Sequence, residues 1–161
     1  MSNGVRFYTT KVSPEKSLQE VMGLLRKYGA QRFEMVWEDG RTTAVRFNLP
    51  VPEAAFGFLD IVLRPKVDVL GRKMRDSARS RRITPEQVER TAWRQLKGIL
   101  EGMLMAVDTG MFSAGQLFFG MAEDPESKQP MWDVVCERGI AGLLPAPEIV
   151  EAEVLAVEEI R

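Results

Sequence analysis

The sequence predicts an α+β fold, with an N-terminal β-α-β-β-β sheet packed against one long central helix and shorter C-terminal helices. Three observations carry that expectation. Alternating apolar residues around an Asp39-Gly40 turn mark paired strands within the first 63 residues. Ser13-Pro14-Glu15 opens a helix after the first strand. Thr84-Pro85-Glu86-Gln87 has the form of a capping box, and it opens an apolar-striped run that reaches Thr109.

In order along the chain, Val5, Phe7 and Thr9 alternate with polar neighbours and predict a strand over residues 4–10. Ser13 then caps a helix whose stripe is Leu18, Val21, Met22, Leu25 and Tyr28, and Gly29 is placed to end it. Residues 31–37 set Phe33, Met35 and Trp37 on one face of a strand. After the turn, a strand over residues 42–49 sets Thr43, Val45, Phe47 and Leu49 together. Pro50 and Pro52 break the pairing, and residues 55–63 supply the next strand.

The remainder reads as helical. Residues 65–79 carry Val67, Leu70, Met74 and Ala78 at helical spacing, and residues 80–83 form a break. In the long helix Val88, Ala92, Trp93, Leu96, Ile99, Leu100, Met103, Leu104 and Val107 make the apolar face. Thr91, Gln95, Gly98 and Gly102 make a second, small-residue face. Two mid-helix glycines cost about 1 kcal/mol each against alanine, so a close neighbour is expected there. Glu86–Arg90 and Lys97–Glu101 are spaced for i,i+4 pairing. Ser113 caps a short helix reaching Phe119, residues 123–129 form a loop, and residues 131–144 form a helix interrupted by Gly139. Residues 1–145 are thus one α+β domain. Pro145-Ala146-Pro147 sets off an acidic segment, residues 146–161, expected as a strand or a partner-binding tail: Val150, Ala152, Val154 and Ala156 alternate with acids as in a strand, while Val150, Val154 and Val157 equally suit a helix.

Composition limits the chemistry. With no histidine and one cysteine among 161 residues, the chain lacks the usual neutral-pH base, the commonest zinc ligand and every Ser-His or Cys-His pair. Catalysis is therefore not expected, and neither is a cofactor or bound metal. A carboxylate set of Glu34, Glu38, Asp39 and Asp60 is the enzymatic alternative, although acids at a turn are ordinarily just solvated. Cys136 reads as a buried, inert thiol. A lone cysteine, no signal-peptide pattern and no membrane-length apolar run fit a cytoplasmic protein.

Charge is uneven. Residues 64–97 hold eleven basic and four acidic residues, whereas residues 121–161 hold ten acidic and three basic ones. Eight of the fifteen arginines lie in the basic block. Guanidinium matches phosphate geometry, so Arg72, Arg75, Arg79, Arg81, Arg82, Arg90 and Arg94 are the candidate nucleic-acid contacts. The plainer explanation is a solvated helix face that neutralises the acidic end. The run Met111, Phe112, Leu117, Phe118 and Phe119 reads as core or, if exposed, as an interface.

The stretch from Val88 to Phe119, VERTAWRQLKGILEGMLMAVDTGMFSAGQLFF, resembles small proteins of tailed bacteriophages and prophages in its alanine-tryptophan-arginine, its long apolar helix and its closing aromatic pair. The opening FYTTKVSPEKSLQEVMGLLRKYGAQRFEMVWEDGRTTAVRFNLPV, residues 7–51, is similar to the start of the same family. The resemblance covers roughly the first three quarters of the chain. It implies a phage origin beside genes for DNA metabolism, hence the cytoplasm of a host bacterium, and it assigns no site residues.

Two functions follow as expectations. One is a non-catalytic phage accessory protein that binds nucleic acid, or a nucleic-acid-handling protein, through the arginine face. The other is a phage inhibitor that binds a host defence protein through the acidic end and the aromatic run. Either element also suits homo-oligomerisation, and no membrane partner is expected.

Overall fold

The first helix, α1 (Pro14–Lys27), begins as its sequence directs: Ser13 Oγ accepts from the Lys16 amide at 3.2 Å, with Pro14 in the first turn. Leu18, Val21 and Leu25 are buried along one side. Gly29 ends it at φ +82°, and a Cβ there would stand 3.1 Å from the Pro50 ring, so glycine is required twice over. The structure, a computed structural model, describes residues 7, 9–52, 57–77 and 82–139. Among these, five α-helices and a three-stranded antiparallel sheet give an α+β fold.

The sheet is β1 (Gln31–Glu38), β2 (Arg41–Pro50) and β3 (Phe58–Leu63), hydrogen-bonded in that order. Asp39 and Gly40 turn the first hairpin at φ +50° and +73°, as a type I′ turn demands. On β2 and β3 the pairs Val45–Leu63, Phe47–Ile61 and Leu49–Leu59 are buried against α1 and the central helix. β1 departs from expectation. Phe33 stacks on Phe47 with ring centroids 6.0 Å apart, but Met35 and Trp37 are exposed. The register slips between Gln31 and Glu34 and again between Val36 and Trp37, with Arg32 at φ +53°. Such bulges re-aim the side chains beside them, and a strand at the sheet's edge has no second neighbour to restore the pattern.

Of the N-terminal strand expected over residues 4–10, residues 4–6 and 8 lie outside the described residues, and residues 7, 9 and 10 are not in a strand. Phe7, Thr9 and Thr10 form a turn closed by the Thr10 amide on the Phe7 carbonyl at 2.9 Å, with Phe7 at φ +60°. The Phe7 ring lies 3.4 Å from where a Gly98 Cβ would stand. A ring seated on a helix outweighs a three-residue alternation. It is also the close neighbour foreseen for Gly98, whereas nothing among the described residues approaches Gly102.

The helix α2 (Val67–Ser77) is followed by the central helix α3 (Pro85–Asp108). Thr84 Oγ1 caps α3 by accepting from the Gln87 amide at 3.2 Å, and the Gln87 side-chain nitrogen donates to the Thr10 carbonyl. Val88, Ala92, Trp93, Leu100 and Leu104 are buried, with Leu96 and Met103 packed against them. Ile99, expected on that face, is instead 57% exposed. The contact face centres on Trp93, Leu100 and Leu104, and Ile99 falls beyond its margin. Arg94 and Lys97 reach Glu20 of α1 at 2.5 and 3.9 Å, and Lys97 also pairs with Glu101. On the other flank α2 presses on α3 through buried Met74 and Gly71, where a Cβ would come within 3.3 Å of Val88.

Ser113 and Gln116 form a full capping box for α4 (Ala114–Phe118), and a 3₁₀ turn follows at Phe119–Met121. Ala122 then bridges Ile61 and covers part of β3's outer edge. The last described helix, α5 (Met131–Arg138), stops at Gly139, φ +73°. Residues 140–144 of the longer helix expected there, and the acidic segment 146–161, lie outside the described residues. No helix among the described residues is long and apolar enough to cross a membrane.

The caps fix an acid dependence. Glu15 and Glu86 are held below the usual glutamate range, chiefly by their own backbone amides and next by the hydroxyls of Ser13 and Thr84. Asp124 is held low by the amide and then the hydroxyl of Ser127. Because the folded values are depressed, the stability these groups add is present above the ordinary carboxylate pKa and is lost as pH falls through the lower, folded values. We expect the melting temperature to decline below about pH 4.5. The decline should be shallower in a Glu15→Gln, Glu86→Gln, Asp124→Asn variant, followed by circular dichroism.

Candidate nucleic-acid interface

The groove between the hairpin end of the sheet, α2, the N-terminal half of α3, and α5 has a volume of about 1660 Å³ and opens to solvent. Its position follows from the packing. α2 lies on α3 at Gly71, while the Ala122 bridge carries the chain past β3 before α5 starts. The space left between the two short helices is the groove. Val67, Val69, Leu96 and Trp132 give it an apolar lining, and Trp132 is 61% exposed.

Seven basic side chains line the groove: Arg41, Arg46, Arg64, Lys66, Arg72, Arg75 and Lys128. Four are engaged. Arg41 meets Glu89 at 4.0 Å, and Arg46 meets Glu123 at 2.9 Å and Glu34 at 3.8 Å. Arg64 meets Glu38, and Lys128 meets Glu123. Lys66, Arg72 and Arg75 have no ion pair among the described residues, and all three are exposed. Asp133 and Glu137 on α5 and Asp68 in the first turn of α2 also line the groove, while Lys66, just before α2, and Arg72 and Arg75 on it carry the cations without an ion pair among the described residues.

Among the described residues, the arginines singled out in the sequence fall on two sides of the fold. Arg72 and Arg75 lie in the groove, and Arg82 is exposed beside Ile83 at its margin. Arg79 and Arg81 lie outside the described residues. Arg90 and Arg94 are half-buried and are not among the groove's lining. Arg94 binds Glu20, and Arg90 stands close enough to Glu15 and Glu86 to stabilise their carboxylates. Helical periodicity carries these two to the α1 side, where they tie helices together.

Several contributors were missed. Arg41 and Arg46 are on strands outside the basic block, and Trp132 stood within an acidic stretch; only tertiary packing brings them to the groove. The one local signal was Arg46, a charge alternating with buried Val45 and Phe47. Cys136, expected buried, is exposed on the groove wall. α5 has two turns, and it buries Val134 and packs Met131 against the core, so the thiol's face remains open. The aromatic run divides: Phe118 is buried, Leu117 half-buried, and Met111, Phe112 and Phe119 are exposed.

The carboxylate alternative finds its members otherwise occupied. Glu34 and Glu38 pair with Arg46 and Arg64, and Asp60 accepts from Asn48 Nδ2 at 2.9 Å. Among the described residues no three acidic, cysteine or histidine side chains converge as a metal-ligand group. Comparison of the chain with family models, characterised proteins and solved structures finds no match.

Proposed function

We propose that the chain is a non-catalytic nucleic-acid-binding protein that takes a single strand in the groove between α2 and α5. The observation that supports this most is the pairing of three uncommitted cations, Lys66, Arg72 and Arg75, with an exposed Trp132 in the same open groove. Cations track the phosphates, and an indole face stacks a base whatever its identity. An intact duplex cannot offer a base face, so the aromatic favours a single strand. The acids of α5 repel phosphate and direct the backbone towards α2. Such a protein would act as an accessory to nucleic-acid handling, in keeping with the resemblance to phage proteins.

Fluorescence anisotropy with single- and double-stranded oligonucleotides tests the reading. With about three phosphates neutralised, the logarithm of the single-strand binding constant should fall against log salt with a slope near −2. Trp132→Ala should weaken single-strand binding by about 1–3 kcal/mol and leave any duplex binding nearly unchanged. Absence of binding at low salt refutes the proposal.

A second reading, capture of a host protein, draws on the exposed Met105, Met111 and Phe112 at and beyond the C-terminal end of α3. Large apolar side chains grouped on a surface commonly mark a protein interface. It would survive failure of the oligonucleotide titration.

A further inference from the structure

We infer that the outer edge of β1 pairs with the same edge of a second copy of this chain, joining two three-stranded sheets into one of six strands about a two-fold axis at Met35. This inference does not rest on the nucleic-acid reading.

The two edges of the sheet differ. Ala122 bridges Ile61 on β3, whereas among the described residues nothing pairs with the outer edge of β1. That strand turns two large apolar side chains to solvent, Met35 at 41% and Trp37 at 58% exposure. An exposed apolar edge is a template for another strand, and proteins commonly blunt it with lysine, proline or a bulge. Between Phe33 and Glu38 there is neither lysine nor proline. Of the two register slips, one places its extra residue at the start of β1, beside Arg32, and the other places it on β2, at Thr43. From Phe33 to Glu38 the edge is therefore regular.

The backbone decides which residues can take part. Glu38 and Arg41 flank the two-residue turn and face each other as a bonded pair. Alternation then turns the amides and carbonyls of Trp37, Met35 and Phe33 outward. Val36 is turned towards β2, where its carbonyl accepts from Thr43 Oγ1 at 3.4 Å.

Charge selects the register. Three antiparallel self-pairings set the outward residues against one another. With the axis at Glu34, that carboxylate opposes its own copy. With the axis at Val36, Glu34 opposes Glu38. With the axis at Met35, Arg32 opposes Glu38, Phe33 opposes Trp37 and Glu34 opposes Val36, and symmetry repeats each pair. Arg32 has no ion pair among the described residues, and Glu38 is exposed, its contact with Arg64 being 3.8 Å long. Glu34, left opposite a valine, already meets Arg46. The apolar side chains gather in the same register. Met35 pairs with buried Val45 and Phe33 stacks on buried Phe47, so both stand on the core face of the sheet, and alternation adds Trp37. Across the axis Phe33, Met35 and Trp37 of each copy form one seam continuous with both cores.

Sedimentation velocity of the full chain, from about ten micromolar to about one millimolar, should show monomer passing into dimer. Arg32→Glu and Glu38→Arg, each alone, set like charges against each other at both ends of the pairing and should weaken the dimer at least about tenfold. An equimolar mixture of the two variants should recover it as a mixed dimer, because each chain then supplies the charge its partner lacks. Far-UV circular dichroism matching the parent's checks that both variants fold. In a Cys136→Ser background, Met35→Cys should oxidise to a linked dimer at least about tenfold faster than Glu34→Cys, since opposed bonded residues stand about 5.5 Å apart at Cα, within disulfide reach. A parent that stays monomeric throughout the range overturns the inference. So does a dimer indifferent to both single reversals, or a mixture no more dimeric than its components. If a reversed chain fails to fold, the cross-link decides, and linking at Glu34→Cys as fast as at Met35→Cys overturns the register.

Discussion

Trp93→Ala is expected to cost about 3–5 kcal/mol of folding stability. Trp93 is the largest fully buried side chain, 1% exposed, and it packs within the core that joins α1, α3 and the sheet. Its removal deletes apolar contact and leaves a cavity that a helix pinned on both flanks can close only partly. Set against a total of about 5–15 kcal/mol for a domain, such a loss leaves a large unfolded fraction at physiological temperature. Urea denaturation followed by far-UV circular dichroism measures it. Ile99→Ala, six residues further along the same helix but 57% exposed, should stay within about 0.5 kcal/mol of the parent. Equal losses at the two positions would mean that the contact face of α3 is rotated from the one described.

Reversing Arg72 and Arg75 to glutamate is expected to reduce single-strand affinity more than about a hundredfold, above roughly 2.7 kcal/mol. Two attractive charges become repulsive where phosphate would lie, and no neighbouring acid is released to compensate. Because both side chains are exposed and carry no ion pair among the described residues, the melting temperature should scarcely change. Arg94→Glu should behave oppositely. It places a like charge against Glu20 between α1 and α3, lowering the melting temperature while sparing binding. Together the two variants separate a basic residue that recognises a ligand from one that fastens the fold, though both stand in the same basic block. If Arg94→Glu abolished binding and the double reversal did not, the interface would lie on the α1 side.

Much of this architecture was legible because its determinants are local. The Ser13, Thr84 and Ser113 caps each depend on residues within four positions, and all three helices start where the sequence directs. The Asp39-Gly40 turn depends on two adjacent backbone conformations and lands where expected. Legibility failed where a partner distant in sequence decided the outcome. Phe7 looked like a strand residue because its alternation was visible, while its seat over Gly98 was not. Met35 and Trp37 read as inward because a period of two was assumed, and the bulges beside them interrupt it. For the site, of the five singled-out arginines among the described residues, Arg72, Arg75 and Arg82 lie at or beside the groove, and Arg90 and Arg94 lie on the α1 side. Charge counting cannot tell a helix's free side from the side facing its neighbour. Trp132 was invisible to it because a stacking residue is defined by what surrounds it.

The manner in which α2 is fastened has a consequence for how the groove behaves over time. Among its described side chains only Met74, with the Gly71 backbone, is fully buried; nearly all the rest are half-exposed or exposed. An element held by so little apolar contact opens locally at far lower free energy than the whole fold. Amide hydrogens of α2 should therefore exchange with solvent much faster than those of buried Ala92, Trp93 and Leu100 in α3. The wall that presents Arg72 and Arg75 would then be a separate cooperative unit, formed and lost many times between global unfolding events. Any polyanion that binds only its formed state must slow that exchange, so occupancy of the groove is written into the protection of one short helix.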